Sequence, residues 1–235
     1  MSVSLIYFAN VLGSTAGPII TGFILLDELS FSNNVRILSI LTLLASVSVF
    51  ILSEKSGKYR TLAILSFVGI IGFEFVVHKS LYNHLYEKLY FKHNYHSNKE
   101  FTKTIETRSG VINIAAEKSG GDIIVGGGTY DGRFNTDLVA DTNIISRAYM
   151  FAALHPNPET VLEIGLSGGA WGIVISGYKK VSSLDIVEIN SGYIELVASY
   201  LPYINLLRNP KVNIHLDDAR RWLLRNPKKN STSLL

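Results

Sequence analysis

Three short stretches of this 235-residue chain set glycines and acids where they could handle a small ligand. The first is Gly165-Leu-Ser167-Gly168-Gly169, which follows the apolar run Thr160-Val-Leu-Glu-Ile. Glycine has no Cβ, so such a turn lets the backbone come close to a bound molecule. The second is Leu184-Asp-Ile-Val-Glu188-Ile, a strand ending in an acid 23 positions after Gly165. In βαβ nucleotide folds a carboxylate about 20 residues beyond the glycine turn accepts the ribose hydroxyls, because one charged acceptor matches a vicinal diol. The third is Val212-Asn-Ile-His-Leu216 followed by Asp217-Asp218, where either carboxylate would accept from an adenine amino group. Ligands of open α/β sheets bind at such carboxyl ends of strands. Gly165, Ser167, Gly169, Glu188, Asp217 and Asp218 are therefore the candidate substrate-binding residues, and no residue stands out as catalytic. The turn lacks the full G-x-G-x-x-G spacing, which argues against a dinucleotide with its pyrophosphate on a helix N-terminus.

These residues need a parallel sheet to hold them. Ala170 to Ser176 reads as the helix after the first strand, and Tyr193 to Leu201 as the helix after the second. Residues 151–235 thus form a partial Rossmann-like, nucleoside-binding α/β domain. Upstream, the pattern is helical from Ile144 to Leu154 until His155-Pro-Asn-Pro breaks it, because a residue before proline avoids the α region. From Phe101 to Phe134 the chain alternates and turns at glycines, as short antiparallel strands do. Residues 103–150 are accordingly a small β-rich domain with a helix.

The first third is of another kind. Val3 to Leu26 carries no charge over 24 positions, more than the roughly 20 residues needed to cross a bilayer core. It lacks the basic start and shorter apolar stretch of a secretory signal. Further apolar runs go from Ile37 to Leu52 and from Thr61 to Val77, separated by the polar, turn-rich Asp27–Asn34 and Ser53–Arg60. Residues 1–78 thus predict about three transmembrane helices. Gly13-x-x-x-Gly17 would permit close helix packing in lipid. Glu74 must lie near the interface or face a partner. Residues 79–102 then predict an interfacial linker helix, with Tyr82, Tyr86 and Tyr90 on one face. Lys55, Lys58 and Arg60 precede the third span, and Lys79, Lys88, Lys92, Lys99 and Lys103 follow it. The larger group, and a nucleoside ligand, favour a multi-pass membrane protein with its C-terminal domain in the cytoplasm.

Composition narrows the partners. The net charge of +3 and the absence of a basic run argue against nucleic acid. The chain has no cysteine, which excludes disulfides and thiolate metal ligands. His93-x-x-His96 alone is too few ligands for a structural zinc site, so no metal is expected.

Taken together, the residues resemble the spermidine synthase (polyamine aminopropyltransferase) family, within the wider class I methyltransferase-like fold. The matching text is His155-Pro-Asn-Pro-Glu-Thr-Val-Leu-Glu-Ile-Gly165-Leu-Ser-Gly168-Gly169, then Asp185-Ile-Val-Glu188-Ile-Asn190, Leu201-Pro and Asp217-Asp218-Ala219. Tyr130-Asp131-Gly132 is similar to the family's small β-domain, and the glycine-bearing first span is similar to membrane segments fused to some bacterial members. The resemblance implies aminopropyl transfer from decarboxylated S-adenosylmethionine to putrescine, in polyamine biosynthesis. It places Gly165 and Gly169 in the nucleoside pocket, Glu188 on ribose and Asp218 on adenine. Decarboxylated S-adenosylmethionine or S-adenosylmethionine enters as co-substrate, so no resident cofactor is expected, and the partners are nucleoside, polyamine and membrane. A homo-oligomer stays open. Gly168 stands where the family's loop carries an acid, and Ser146-Arg147-Ala148-Tyr149 where it has Tyr-His-Glu. The family's general base is an aspartate after the fourth strand. Here the text beyond Asn226-Pro reads as no strand and holds no aspartate, so a C-terminally truncated, inactive chain is expected. The alternatives are an S-adenosylmethionine-dependent methyltransferase, which shares Glu163-Ile-Gly165, and a non-catalytic membrane protein with a vestigial nucleoside-binding domain.

Overall fold

The computed structural model describes residues 3–53, 56–96, 100–227 and 233–234. Lys55 and Lys99, used above to compare charge across the spans, lie outside them. The chain divides into two compact units, Met1–Leu89 and Tyr90–Leu235.

The first unit is helical. Helix α1 (Val3–Ile20) runs through a π turn (Thr21–Leu25) into the short α2 (Leu26–Glu28). Pro18 sits inside α1, just before the π turn, where its missing N–H interrupts the regular ladder. Then come α3 (Phe31–Ser53) and α4 (Gly57–Tyr82). The spans Val3–Glu28, Phe31–Ser53 and Gly57–Tyr82 are each long and apolar enough to cross a membrane. The α2–α3 corner is tied by Asn34, whose side-chain amide donates to the carbonyls of Leu25, Leu29 and Ser30. Glu74 of α4 faces a partner. Its Oε1 lies 3.3 Å from Arg36 Nε of α3 and 3.1 Å from His78 Nδ1, one turn further along α4. Added side chains at Gly13 and Gly17 would meet nothing within 4 Å. Among the described residues no close helix approach is made at these glycines.

The linker differs from a single helix over 79–102. α4 continues through Tyr82, the chain turns at Asn83 and His84, and only α5 (Leu85–Phe91) and a 3-10 turn (Lys92–Asn94) follow. The cause is local: Asn83 is extended and His84 has φ 53°, so neither can continue a right-handed helix.

The second unit opens with an antiparallel meander, β1 (Lys103–Thr107), β2 (Gly110–Ala115), β3 (Ile123–Gly126) and β4 (Thr129–Arg133), paired in that order. Helix α6 (Ser146–Leu154) follows. Then β5 (Thr160–Ile164), α7 (Ala170–Ser176), β6 (Ser183–Glu188), α8 (Ser191–Ala198), α9 (Ile204–Leu207) and β7 (Val212–Leu216) build a parallel sheet with β6 between β5 and β7. α8 begins two residues earlier than its apolar pattern suggests, because the Asn190 side chain caps it by accepting from Gly192 N. After α10 (Ala219–Arg225), Ser233–Leu234 forms β8 and pairs in parallel with β5, Ser233 opposite Val161. This corrects the expectation that no strand follows Asn226. Two residues are too short a run for periodicity to reveal, and the pairing depends on the free edge of β5. The order β7-β6-β5-β8 is that of one half of a doubly wound sheet.

Each face of this sheet has its own core. Val161, Leu184 and Ile186 face the meander, α6, α7 and α8. Leu162 and Val187 face the other way, against Trp222 of α10, with Ala219 and Leu223 beside it. That second face depends on one large side chain, 5% exposed. Trp222→Ala is therefore expected to cost about 3–5 kcal/mol, read as a lower denaturant midpoint for the detergent-solubilised full chain.

Candidate functional site

Gly165 ends β5, and the sheet's first crossover begins there. Its backbone N–H donates to Val187 O at 2.9 Å, and its φ of +92° is one that side-chain-bearing residues rarely adopt. An added Cβ would meet nothing within 4 Å, so the glycine answers to conformation and leaves the space above the strand open. Glu188, at the end of β6, is 5% exposed and turns back to this loop. Its Oε2 accepts from Leu166 N and its Oε1 from Asn190 N, both at 2.7 Å. A carboxylate has about four lone-pair sites. Among the described residues, one further acceptor site remains on each oxygen.

The loop lies beneath a cavity of about 350 Å³, within the range of small-molecule sites. Gly165, Ser167 and Glu188 line it, together with Glu163 from β5, Tyr130 and Asp131 from β4, Arg147 from α6, Trp171 from α7 and Tyr193 from α8. The meander forms the facing wall. Ser167 Oγ donates to Asp131 O at 3.3 Å, and the buried Phe134 stacks on Tyr200 with ring centres 3.7 Å apart. Tyr193 donates its phenol to Asp131. Burial first, and the nearby Asp131 charge second, push the Tyr193 hydroxyl well above its ordinary range. Gly168 packs closely under the meander, since an added Cβ would stand 2.5 Å from Ile124 Cδ1 and the Ile124 side chain would have to shift. An acid at this loop position, as the resemblance has it, would require Ile124 to repack.

The other sequence-derived candidates sit apart from this lining. Gly169 caps the start of α7 with its α-carbon against Leu206, at 2.8 Å from an added Cβ. Asp217 is ion-paired with Arg221 and, at 3.4 Å, with Arg225. The Arg221 hydrogen bond holds its carboxyl below the usual range. Asp218 caps α10 by accepting from Arg221 N at 3.0 Å. The Asp217-x-x-x-Arg221 spacing was itself a sign of this local pairing. Glu163 and Asp131 line the cavity although their spacing marked neither for the site. Glu163 entered only through the Glu163-Ile-Gly165 text of the methyltransferase alternative, and Asp131 only through Tyr130-Asp131-Gly132. A further signal was an acid inside the otherwise apolar β5, since strands buried on both faces read as continuous hydrophobic runs. Among the described residues no group of three or more His, Cys, Asp or Glu could hold a metal ion.

Glu163 is 5% exposed and burial alone pushes its carboxyl from the ordinary 4.5 up to about 8. Below pH 4.5 folded and unfolded chains both hold this proton. Above it the unfolded chain releases the proton first, so the folded state loses stability as pH rises towards 8. Glu163→Gln should remove this slope and stabilise the chain at neutral pH, as measured by unfolding midpoints across that interval.

No protein-family model matches the chain. Among curated proteins, the polyamine aminopropyltransferase of Methanocaldococcus jannaschii is 35% identical over 89 residues, covering 37% of this chain and 29% of that protein. The polyamine aminopropyltransferase of Streptococcus pneumoniae is 35% identical over 72 residues, covering 30% of this chain and 25% of that protein. The match thus spans between a quarter and a third of these relatives' lengths. Among solved structures, spermidine synthase in complex with the transition state analogue AdoDATO has a TM-score of 0.45 and 19% identity, over 53% of this chain and 43% of that one. The spermidine synthase of Thermotoga maritima has a TM-score of 0.45 and 20% identity, over 53% of this chain and 42% of that one. Over the stretch it shares with the curated proteins, the chain is a relative of the spermidine synthase, or polyamine aminopropyltransferase, family.

Proposed function

We propose that the second unit binds the nucleoside of decarboxylated S-adenosylmethionine and serves a spermidine synthase-like aminopropyl transfer to a polyamine acceptor, putrescine by resemblance. The observation that carries this is Glu188. It is an acid at the carboxyl end of the second parallel strand, held against the Gly165 turn and open to the cavity. Its two free lone pairs match the two hydroxyls of a ribose. Transfer requires the acceptor amine to attack the carbon beside the donor's sulfonium, in a space that excludes water and favours cations. Asp131 and Glu188 line this cavity against one guanidinium, that of Arg147, beside Glu163, which burial keeps protonated at neutral pH. Such a balance suits a cationic donor and a cationic acceptor.

In the same proposal the three long apolar helices anchor the chain as a multi-pass membrane protein, with the second unit on the cytoplasmic side. An S-adenosylmethionine-dependent methyltransferase is the competing chemistry, favoured by the acid of Glu163-Ile-Gly165. Incubating the full chain with doubly labelled donor and putrescine separates the two, because only one product carries the aminopropyl label. Direct binding tests the site itself. Glu188→Gln keeps one acceptor oxygen for the loop but removes the charge, and is expected to weaken binding of 5′-methylthioadenosine by about tenfold, near 1.4 kcal/mol. Calorimetry that finds no nucleoside binding to the unaltered chain would overturn the proposal.

A further inference from the structure

Among the described residues lining the cavity, Arg147 is the one cation. Its guanidinium makes no hydrogen bond or ion pair with any described residue. Arg221 and Arg225, by contrast, are engaged by Asp217. Nor does the guanidinium offset the buried acid of the lining, because the Glu163 carboxyl is displaced by burial alone. Arg147 also stands in the first turn of α6, where a cation opposes the helix macrodipole. Helix stability therefore does not account for it.

The backbone that presents Arg147 is braced on two sides. Asn143 clamps the segment before α6 to β4. Its Oδ1 accepts from Arg133 N and its Nδ2 donates to Arg133 O, both at 2.9 Å. Ile144 follows with φ of 51°, a conformation that a β-branched residue rarely adopts and that persists only where the surroundings impose it. Ile145, Ala148 and Phe151 then bury in the core. With that face of α6 fixed, Ile144 and Arg147, three residues apart, fall together in the lining of the cavity. The guanidinium is thus offered to the ligand space by a held segment.

We infer that Arg147 binds the carboxylate of a ligand in this cavity, so that one of the two molecules meeting there is an amino acid derivative. The inference rests on the nucleoside proposal above and narrows its substrates. Decarboxylated S-adenosylmethionine and putrescine together bring only positive charge, which leaves the guanidinium unmatched and repelled. A carboxylate brings one negative charge and two coplanar oxygens that fit the guanidinium fork. A phosphate would bring more charge towards Asp131 and Glu188. The carboxylate has two possible sources. On the donor it is that of S-adenosylmethionine itself, and methyl transfer is then the chemistry. On the acceptor it is that of a diamino acid, and aminopropyl transfer then runs to this zwitterion in place of a bare diamine.

Titration calorimetry of the full chain in detergent tests this with two pairs of ligands that differ by one carboxylate. The donor pair is S-adenosylmethionine and its decarboxylated form. The acceptor pair is ornithine and putrescine, each added to the chain saturated with 5′-methylthioadenosine. In one pair the carboxylated member should bind about fivefold more tightly, the gain expected of a charge-assisted contact to a partly solvated arginine. The pair that shows it identifies the ligand. Arg147→Gln should bring that ratio to near unity, and Arg147→Lys should keep part of it. Neither variant should alter the affinity for 5′-methylthioadenosine, which has no carboxylate. Arg147 is exposed, so both variants should fold. The inference is overturned by the lack of a preference in either pair, by a preference that survives Arg147→Gln, or by loss of 5′-methylthioadenosine binding in that variant. Each of these leaves the nucleoside proposal standing. Absence of binding by 5′-methylthioadenosine and both donors to the unaltered chain overturns both.

Discussion

The pair of hydrogen bonds from Leu166 N and Asn190 N to the Glu188 carboxylate sets the geometry around which the second unit is arranged. One bond fastens the glycine turn after β5, the other fastens the entry to α8, and both converge on the carboxyl end of β6. Bonds from N–H groups to a buried charge are about twice as strong as neutral ones. They also satisfy backbone donors that would otherwise be orphaned where two crossovers leave the sheet. Asn190 extends the arrangement, capping α8 and accepting from Thr107 Oγ1 of the meander at 2.8 Å. The small antiparallel sheet is thereby registered against the parallel one.

That registration turns an open sheet edge into a cavity. The glycine turn and Glu188 alone would form an exposed shelf. Ile124 and Phe134 close over Gly168, and Asp131 and Tyr193 complete a facing wall. Closure lowers the local dielectric, which explains why two tyrosines and an acid of this region are displaced from their ordinary ionisation. The same closure packs Ile124 over Gly168 and leaves Glu163 as the buried carboxyl of the lining. In the first unit, charge is handled differently. Glu74 is met by Arg36 and His78 between adjacent long apolar helices, and Arg36 also lies over the Phe75 ring at 5.0 Å. Pairing of this kind offsets the cost of an ionisable group set between apolar helices.

Much of the framework follows from local text. Uninterrupted apolar runs of span length produce the three long helices whatever surrounds them, because their backbone bonds close within each segment. Alternation with glycine turns gives the meander, and apolar strands separated by helical stretches give the parallel order β5, β6 and β7. The placement of Glu188 opposite the Gly165 turn was also legible, since the length of one βαβ unit fixes it. Folding alone decided which acids line the cavity. Asp217 and Asp218 stand at a strand end as Glu188 does, yet arginine and a helix cap occupy them; Glu163 reads as an oddity within a strand until the meander seals it against the cavity. Strand β8 likewise exists only because β5 offers a free edge to two distant residues. Spacing along a chain encodes contacts between neighbours in sequence, whereas burial, steric closure and the pairing of remote side chains arise only when separate elements pack.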